Sequence, residues 1–313
     1  MNISACYIVK NEQNNIYDSL NSVKNIVTEI ILVDTGSEDN TIQEVERFKN
    51  DSPELVVKLY HYAWDNHFAN ARNYSISQAT QEYILIIDAD EQLRGTIDDI
   101  LLDYDVIFLK QKNYENKKLI TELWTPRLFK NCGLQFKFRV HEQLEFEDKN
   151  LKVCKYDNLF LKHKEKNISQ IKKKVKQLLE LHYIQLQEEP DNPYILGQMA
   201  YCYNTLNNYE FAKHYALLCL LKNKLIPEQK AEMFNLLFEI DYNLGNINAI
   251  DWLKLSIESC SQQYRAYLLL REYFILINEL KKAEQVKNDL LRIINNGESR
   301  LNFDVLINNI NLN

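Results

Sequence analysis

The sequence predicts an α/β domain built on a mainly parallel sheet, followed by an all-α domain of helical repeats. Residues 1 to about 110 alternate short apolar runs with helix-spaced segments, the pattern of a sheet covered by helices. From about residue 165 the strand signals stop and helical spacing takes over. In that second half Leu206, Leu244 and Ile277 anchor a loose repeat at intervals of 38 and 33 residues. Paired-helix repeats have a period of about 34 residues. The expected division is therefore 1–165 and 166–313.

The elements follow in order. ISACYIVK reads as a first strand, IYDSLNSV as a helix and EIILVD as a second strand ending at Asp34. TGSEDNT offers Ser37 or Asp39 as the cap of the next helix. LVVKLYHY is a third strand, FANARNYSISQA a helix and EYILIID a fourth strand. Between 105 and 163, DVIFLKQ, LWTPRLFK, LQFKFRVHE and DNLFLKH keep strand character and are expected to add mixed or antiparallel strands. ISQIKKKVKQLLELHYIQLQ then reads as a helix, and EEPDNPY breaks it. The lysines of 162–176 alternate with its apolar positions and read as a solvated helix face.

Composition narrows the function. A formal charge of −7 disfavours a general nucleic-acid binder, which needs a basic surface to neutralise phosphates. The six cysteines form no CxxC pair and read as small core residues of a reducing compartment. MNISACYIVKNE lacks the basic start and long apolar core of a signal peptide, and no 18-residue apolar stretch is present. A cytoplasmic location is expected.

The most telling segment is ILIIDADE, residues 84–91. An apolar strand ends in Asp88 and Asp90, with Glu91 following. Hard cations such as Mg2+ or Mn2+ take oxygen ligands and can neutralise phosphate charge. In open α/β sheets ligands bind beyond the C-terminal strand ends. Segments 8–12, 34–37, 65–72 and 88–91 all fall near such ends, so distant residues are expected to converge on one rim.

Five segments together resemble family 2 glycosyltransferases of the GT-A type: IVKNE (8–12), EIILVDTGSEDNT (29–41), WDNHFANARN (64–73), YILIIDADE (83–91) and FRVHEQL (138–144). The likeness covers about residues 1 to 163, so the fold implied is a GT-A (Rossmann-like) mixed sheet domain ahead of tetratricopeptide-like helical repeats. The layout also resembles the sublancin-type peptide S-glycosyltransferases, with their His-Glu pair and helical C-terminal region.

The resemblance implies a nucleotide-sugar donor, most often a UDP-sugar, and a divalent metal, Mg2+ or Mn2+. It places Asp34 near the base and ribose, and Val9, Glu12 and Arg72 at the donor, with Arg72 near the phosphates or the acidic cluster. Asp88 and Asp90 form the DxD-like element. Asp90 is the expected direct metal ligand, joined by His163. Glu12 reads almost as well as a helix-start residue. An inverting transfer needs a base in reach of the nucleophile. Glu142 or His141 would supply it, and many family members use a Glu-Asp pair of which this chain has no clean copy. Trp64, Phe68, Trp124 and Arg127 are further candidates, for stacking on a ring, for the core, or for pairing with a carboxylate.

The implied acceptor is a peptide or protein side chain, Cys or Ser/Thr, with the helical repeats holding it or a second copy of the chain. A surface polysaccharide or lipid-linked glycan is the alternative acceptor. A scaffold with a degenerate transferase domain is the alternative from another class.

Overall fold

The computed structural model describes residues 2–98, 101, 103–115, 118–146, 150–165, 168–222, 225–246 and 248–297. The chain divides into two compact units, residues 1–165 and 166–313.

The first unit begins with β1 (Ile3–Val9), α1 (Ile16–Val23), β2 (Glu29–Asp34), α2 (Thr41–Asp51), β3 (Val56–His61), α3 (Phe68–Ser77) and β4 (Tyr83–Ile86). It continues with β5 (Glu91–Gly95), β6 (Val106–Glu115), β7 (Lys118–Lys130), β8 (Gln135–Lys137), β9 (Gln143–Glu145) and β10 (Val153–His163). Eight strands form one sheet in the order β3-β2-β1-β4-β7-β6-β10-β5. The first four are parallel, so their C-terminal ends share one rim. β7 joins antiparallel to β4 and β6, and β5 antiparallel to β10, which makes the sheet mixed. β8 and β9 form a separate hairpin.

Alternation along β1 shows how the two faces are covered. Ile3, Ala5, Tyr7 and Val9 pack with Ile16, Leu20, Val45 and Phe48 of α1 and α2. Cys6 points the other way, towards Ile76 of α3 and Leu144 of the small hairpin. This period-2 division puts α3 and the hairpin on the same side of the sheet.

Two expectations need correction. β5 has no counterpart in the sequence reading, where 88–91 is only an acidic strand end. Its charged EQLRG gives little apolar signal, and it forms because β10 pairs with it from His163↔Glu91 to Leu159↔Gly95. The second helix starts at Thr41 with Asn40 at the cap position and no side-chain cap bond there. Asp39 instead accepts the Thr41 N–H (2.9 Å), and the Ser37 hydroxyl accepts the Asn11 N–H (3.0 Å).

The second unit contains α4 (Ile168–Glu188), α5 (Pro193–Thr205), α6 (Tyr209–Leu220), α7 (Pro227–Asn243), α8 (Ile250–Ser259), α9 (Arg265–Leu276) and α10 (Leu280–Asn296). Positions 166 and 167 of the lysine-rich run lie outside the described residues. The repeat has a specific structural basis. Leu206, Leu244 and Ile277 are the C-cap residues of α5, α7 and α9. The next residues, Asn207, Gly245 and Asn278, have φ of 60°, 75° and 60°. In each turn the following N–H reaches back five residues: Asn208 to Tyr203 O, Asn246 to Asp241 O and Glu279 to Phe274 O, at 2.8–2.9 Å. These are three copies of one Schellman turn. Leu244 and Ile277 are exposed, so the repeat is marked by the turn and not by core anchors. Among the described residues no helix is long and apolar enough to cross a membrane.

Candidate active site

Loops leaving the parallel strands are tied to one another before any ligand is considered. Asp34 ends β2 in register with Val9 and His61. Its buried carboxylate accepts the N–H groups of Gly36 (3.2 Å) and Ser37 (3.1 Å), and His61 Nδ1 lies 3.5 Å away. Gly36 takes φ of 102°, which a side chain would resist. The Val9 carbonyl accepts both the N–H and the hydroxyl of Thr35, and the Val9 side chain lies in the core. Asn11, at φ of 57°, accepts from the Glu38 N–H (2.8 Å). Glu12 accepts from Asn15 Nδ2 (2.6 Å), and its carbonyl takes the N–H groups of Asn15 and Ile16 at the start of α1. In this structure Val9 and Glu12 shape the loop, and Asp34 ends the neighbouring strand beside Val9.

The acidic turn after β4 is also held from several sides. The Asp88 carbonyl accepts the Ser19 hydroxyl of α1 (3.3 Å) and the Glu91 N–H (3.0 Å). β5 pairs with β10, so Asp90 lies alongside the end of β10. The Lys164 N–H donates to the Asp90 carbonyl (2.9 Å), and His163 Nε2 lies 3.4 Å from Asp90 Oδ2. Both side chains are partly accessible, at 11% for Asp90 and 21% for His163. One carboxylate oxygen and one imidazole nitrogen, close together and reachable, fit a divalent cation. These are the residues that could hold one.

Arg72 sits on the buried face of α3 with Ala69, Ser75 and Ile76. Its Nη2 donates to Asp88 Oδ1 (2.9 Å) and to Glu142 Oε1 (2.7 Å), and its Nε donates to the same Glu142 oxygen (3.0 Å). Burial works against the guanidinium charge, but Asp88 and Glu142 outweigh it and hold the group more firmly protonated. Nη1 is buried without a hydrogen-bond partner. Glu142 reaches this position because Asn73, one residue on, clamps the hairpin strand. Asn73 exchanges two hydrogen bonds with the Phe136 backbone (2.8 and 2.9 Å), and the Phe68 N–H donates to the Arg139 carbonyl (2.8 Å). His141 is exposed at φ of 52°.

Asp34, Arg72, Asp88, Asp90, Glu142 and His163 thus lie on strand ends, or on elements packed against them, in one unit. Arg127 pairs with acids, as one sequence reading allows, at Glu91 (3.0 Å) and Asp88 (3.5 Å). Trp124 carries Lys110 over its ring at 4.8 Å and Lys155 at 5.3 Å. Trp64 packs edge-on against Phe68. Sequence reasoning missed Ser19 and Gln111, since an isolated hydroxyl or amide gives no pattern. It also treated Glu91 as one more rim acid.

Residues 4–97 match the sequence model of glycosyl transferase family 2. That stretch of the chain reads as a family 2 glycosyltransferase domain. β2 to β5 and all of β1 but Ile3, with Asp34, Arg72, Asp88 and Asp90, fall inside the match. The SPbeta prophage-derived glycosyltransferase SunS of Bacillus subtilis is 30% identical over 252 residues, 70% of this chain and 58% of that protein. The chain therefore spans little more than half the length of that relative. A TPR repeat-containing protein of Synechococcus elongatus is 41% identical over 91 residues, 29% of this chain and 21% of that protein. Among solved structures, S. aureus TarS covers 85% of this chain and 54% of its own, at 16% identity and a TM-score of 0.43. A likeness that slight carries no weight for the site. The GT-A-like mixed sheet followed by a helical region stands on the strand order and the family match.

Proposed function

We propose that the protein is a metal-dependent inverting glycosyltransferase. It moves a sugar from a nucleotide-sugar, a UDP-sugar by preference, to a Cys or Ser/Thr side chain of a peptide or protein. Residues 1–165 carry the chemistry. Residues 166–313 bind the acceptor or a partner, a second copy of the chain included. The observation that carries this reading is the Asp88–Asp90 turn on the rim of a family 2 domain, joined through Arg72 to Glu142.

Each residue has a chemical task. Asp34 shapes the loop that would receive the base and ribose. Asp90 and His163 would hold a divalent cation, Mg2+ or Mn2+. When bound, that cation neutralises charge on the departing diphosphate. Arg72 fixes Oε1 of Glu142, and none of the hydrogen bonds described reaches Oε2. That oxygen can take the proton of an acceptor hydroxyl or thiol as the nucleophile attacks. A base oriented by a neighbouring charge is the arrangement general-base catalysis needs. The same geometry favours Glu142 over His141, which stands exposed on the hairpin. A thiol acceptor needs the base less, because it ionises more readily than an alcohol.

The test is nucleotide release from a panel of nucleotide-sugars, with and without Mn2+, for wild type and a D88N/D90N variant. Slow release from one donor that needs both metal and carboxylates supports the reading. Absence of both donor binding and release across the panel sinks it and favours a scaffold. Transfer to a defined peptide, set against glycan acceptors, decides the acceptor class.

A further inference from the structure

The sequence presents three acids in a row of four residues, but Glu91 does not share the rim with Asp88 and Asp90. Its side chain is fully buried, at 0% exposure. Its two oxygens have separate tasks. Oε2 accepts the Asp88 N–H (3.0 Å) while the Glu91 N–H donates to the Asp88 carbonyl (3.0 Å), which closes the turn on itself. Oε1 accepts from Arg127 Nη2 (3.0 Å) and from Gln111 Nε2 (2.8 Å). The same Arg127 nitrogen lies 3.5 Å from Asp88 Oδ2. Since Arg72 holds Oδ1, each oxygen of Asp88 faces a guanidinium, one from α3 and one from β7.

The β6–β7 ladder is irregular where Arg127 leaves it. Ile107 pairs with Leu128 and Phe108 pairs with Pro126, so Arg127 has no partner across the ladder. Irregularities of this kind next to active sites re-aim a side chain. Here the re-aimed side chain meets the one fully buried acid of the turn.

We propose that Glu91 and Arg127 are positioning residues, which set the Asp88–Asp90 turn and the Asp88 side chain from the interior and contact neither donor nor acceptor. This inference rests on the transferase reading. Stability alone does not account for the pair. A buried ion pair is weak evidence for stability, because apolar residues of similar volume often replace it without loss. Placing Glu91 beside Asp88 and Asp90 adds like-charge repulsion that a purely structural residue would avoid. A positioning role explains why a carboxylate sits there. Only an acceptor pair at this point can take the Asp88 N–H on one oxygen and Arg127 on the other.

Titration calorimetry with UDP and Mn2+ on the full chain tests the proposal, with thermal melting alongside. Groups that orient a metal site from behind change affinity about 10- to 100-fold when removed. Glu91→Gln and Arg127→Met should each weaken Mn2+-dependent UDP binding by that factor at temperatures well below melting. Arg127→Lys, which keeps the positive charge but reaches only about as far as the guanidinium carbon, should recover part of it. A residue with only a packing role would lower the melting temperature and leave affinity per folded molecule unchanged. Wild-type affinity in both Glu91→Gln and Arg127→Met overturns the proposal. Should either variant fail to fold, Gln111→Leu is the milder probe. A loss of affinity at unchanged melting supports the proposal, and unchanged affinity overturns it. If wild type binds no UDP with Mn2+, the UDP-sugar reading itself fails, and this inference falls with it.

Discussion

Arg72 and Glu142 are 70 residues apart in sequence, yet Nε and Nη2 of the arginine both donate to a single oxygen of the glutamate, at 3.0 and 2.7 Å. One oxygen of the carboxylate is thereby fixed by the guanidinium. The same arginine also holds Asp88, so the acidic turn and the hairpin carrying Glu142 are joined through one buried cation.

Glu142→Gln preserves the accepting oxygen and removes the basic one. Turnover should fall by about 10²- to 10⁴-fold, the usual contribution of a positioned base, while nucleotide affinity stays near wild type. Glu142→Ala should also destabilise the domain, by about 1–3 kcal/mol, because it strips one partner from a guanidinium only 4% exposed. Steady-state kinetics, calorimetry and melting separate the two effects. Full turnover in Glu142→Gln would remove the residue from the base role.

Asp90 and His163 lie 3.4 Å apart because β5 pairs with the end of β10. Asp90→Asn and His163→Ala should each raise the Mn2+ concentration needed for nucleotide binding by about tenfold or more. The check is a metal titration in the presence of UDP. An unchanged midpoint in His163→Ala would exclude that histidine as a ligand.

Burial, with Asp88 and Asp90 adding to it, pushes the Glu91 carboxyl up from 4.5 to about 7, against the pull of Arg127. Between those values the folded chain keeps a proton that the unfolded chain has released. The resulting contribution is whole below about pH 4.5, declines as pH rises, and is gone above about pH 7. Glu91→Gln does not titrate, so the stability of wild type relative to this variant should fall across that window. Denaturant melts of chelator-treated protein at several pH values measure the difference. A flat difference would show that the carboxyl is not raised.

Gly95 ties the backbone of β5 to the same site. It has φ of 108°, and a Cβ there would lie 1.9 Å from the Asn158 carbonyl oxygen of β10. Gly95→Ala must push the two strands apart at one end of the ladder whose other end is His163↔Glu91. Loss of stability should come with a weaker Mn2+ response in the nucleotide titration. A destabilised variant with a normal metal response would mean that the displacement dies out before it reaches Asp90.

Much of the first unit was legible because β1, β2 and β4 are buried on both faces, and continuous apolar runs such as EIILVD need no tertiary context to be recognised. The parallel order of those strands already placed the ends that carry Asp34 and Asp88 on the same edge of the sheet. What stayed hidden depends on pairing. EQLRG becomes a strand only when β10 lies beside it, and Glu91 leaves the rim only because β5 carries it inward. Asn11 and Asp39 act through hydrogen bonds between two loops, for which no local periodicity exists. In the helical unit the spacing of the repeat was visible, but its cause was a backbone turn that apolar stripes do not report.

That turn can be tested by itself. Gly245 has φ of 75°, and a Cβ built on it meets nothing within 4 Å. Any penalty for Gly245→Ala therefore comes from the left-handed backbone, which disfavours L-residues by about 1–2 kcal/mol. Asn207 and Asn278 occupy the equivalent position at φ of 60° in the other two copies. Asparagine tolerates this region better than alanine, and glycine better still. Asn207→Ala should thus destabilise the helical unit and Asn207→Gly should not, with Gly245→Ala close to Asn207→Ala. Helical circular dichroism followed through denaturant gives the comparison. If all three variants melted together with wild type, the shared turn would be a by-product of helix packing and not one of its determinants.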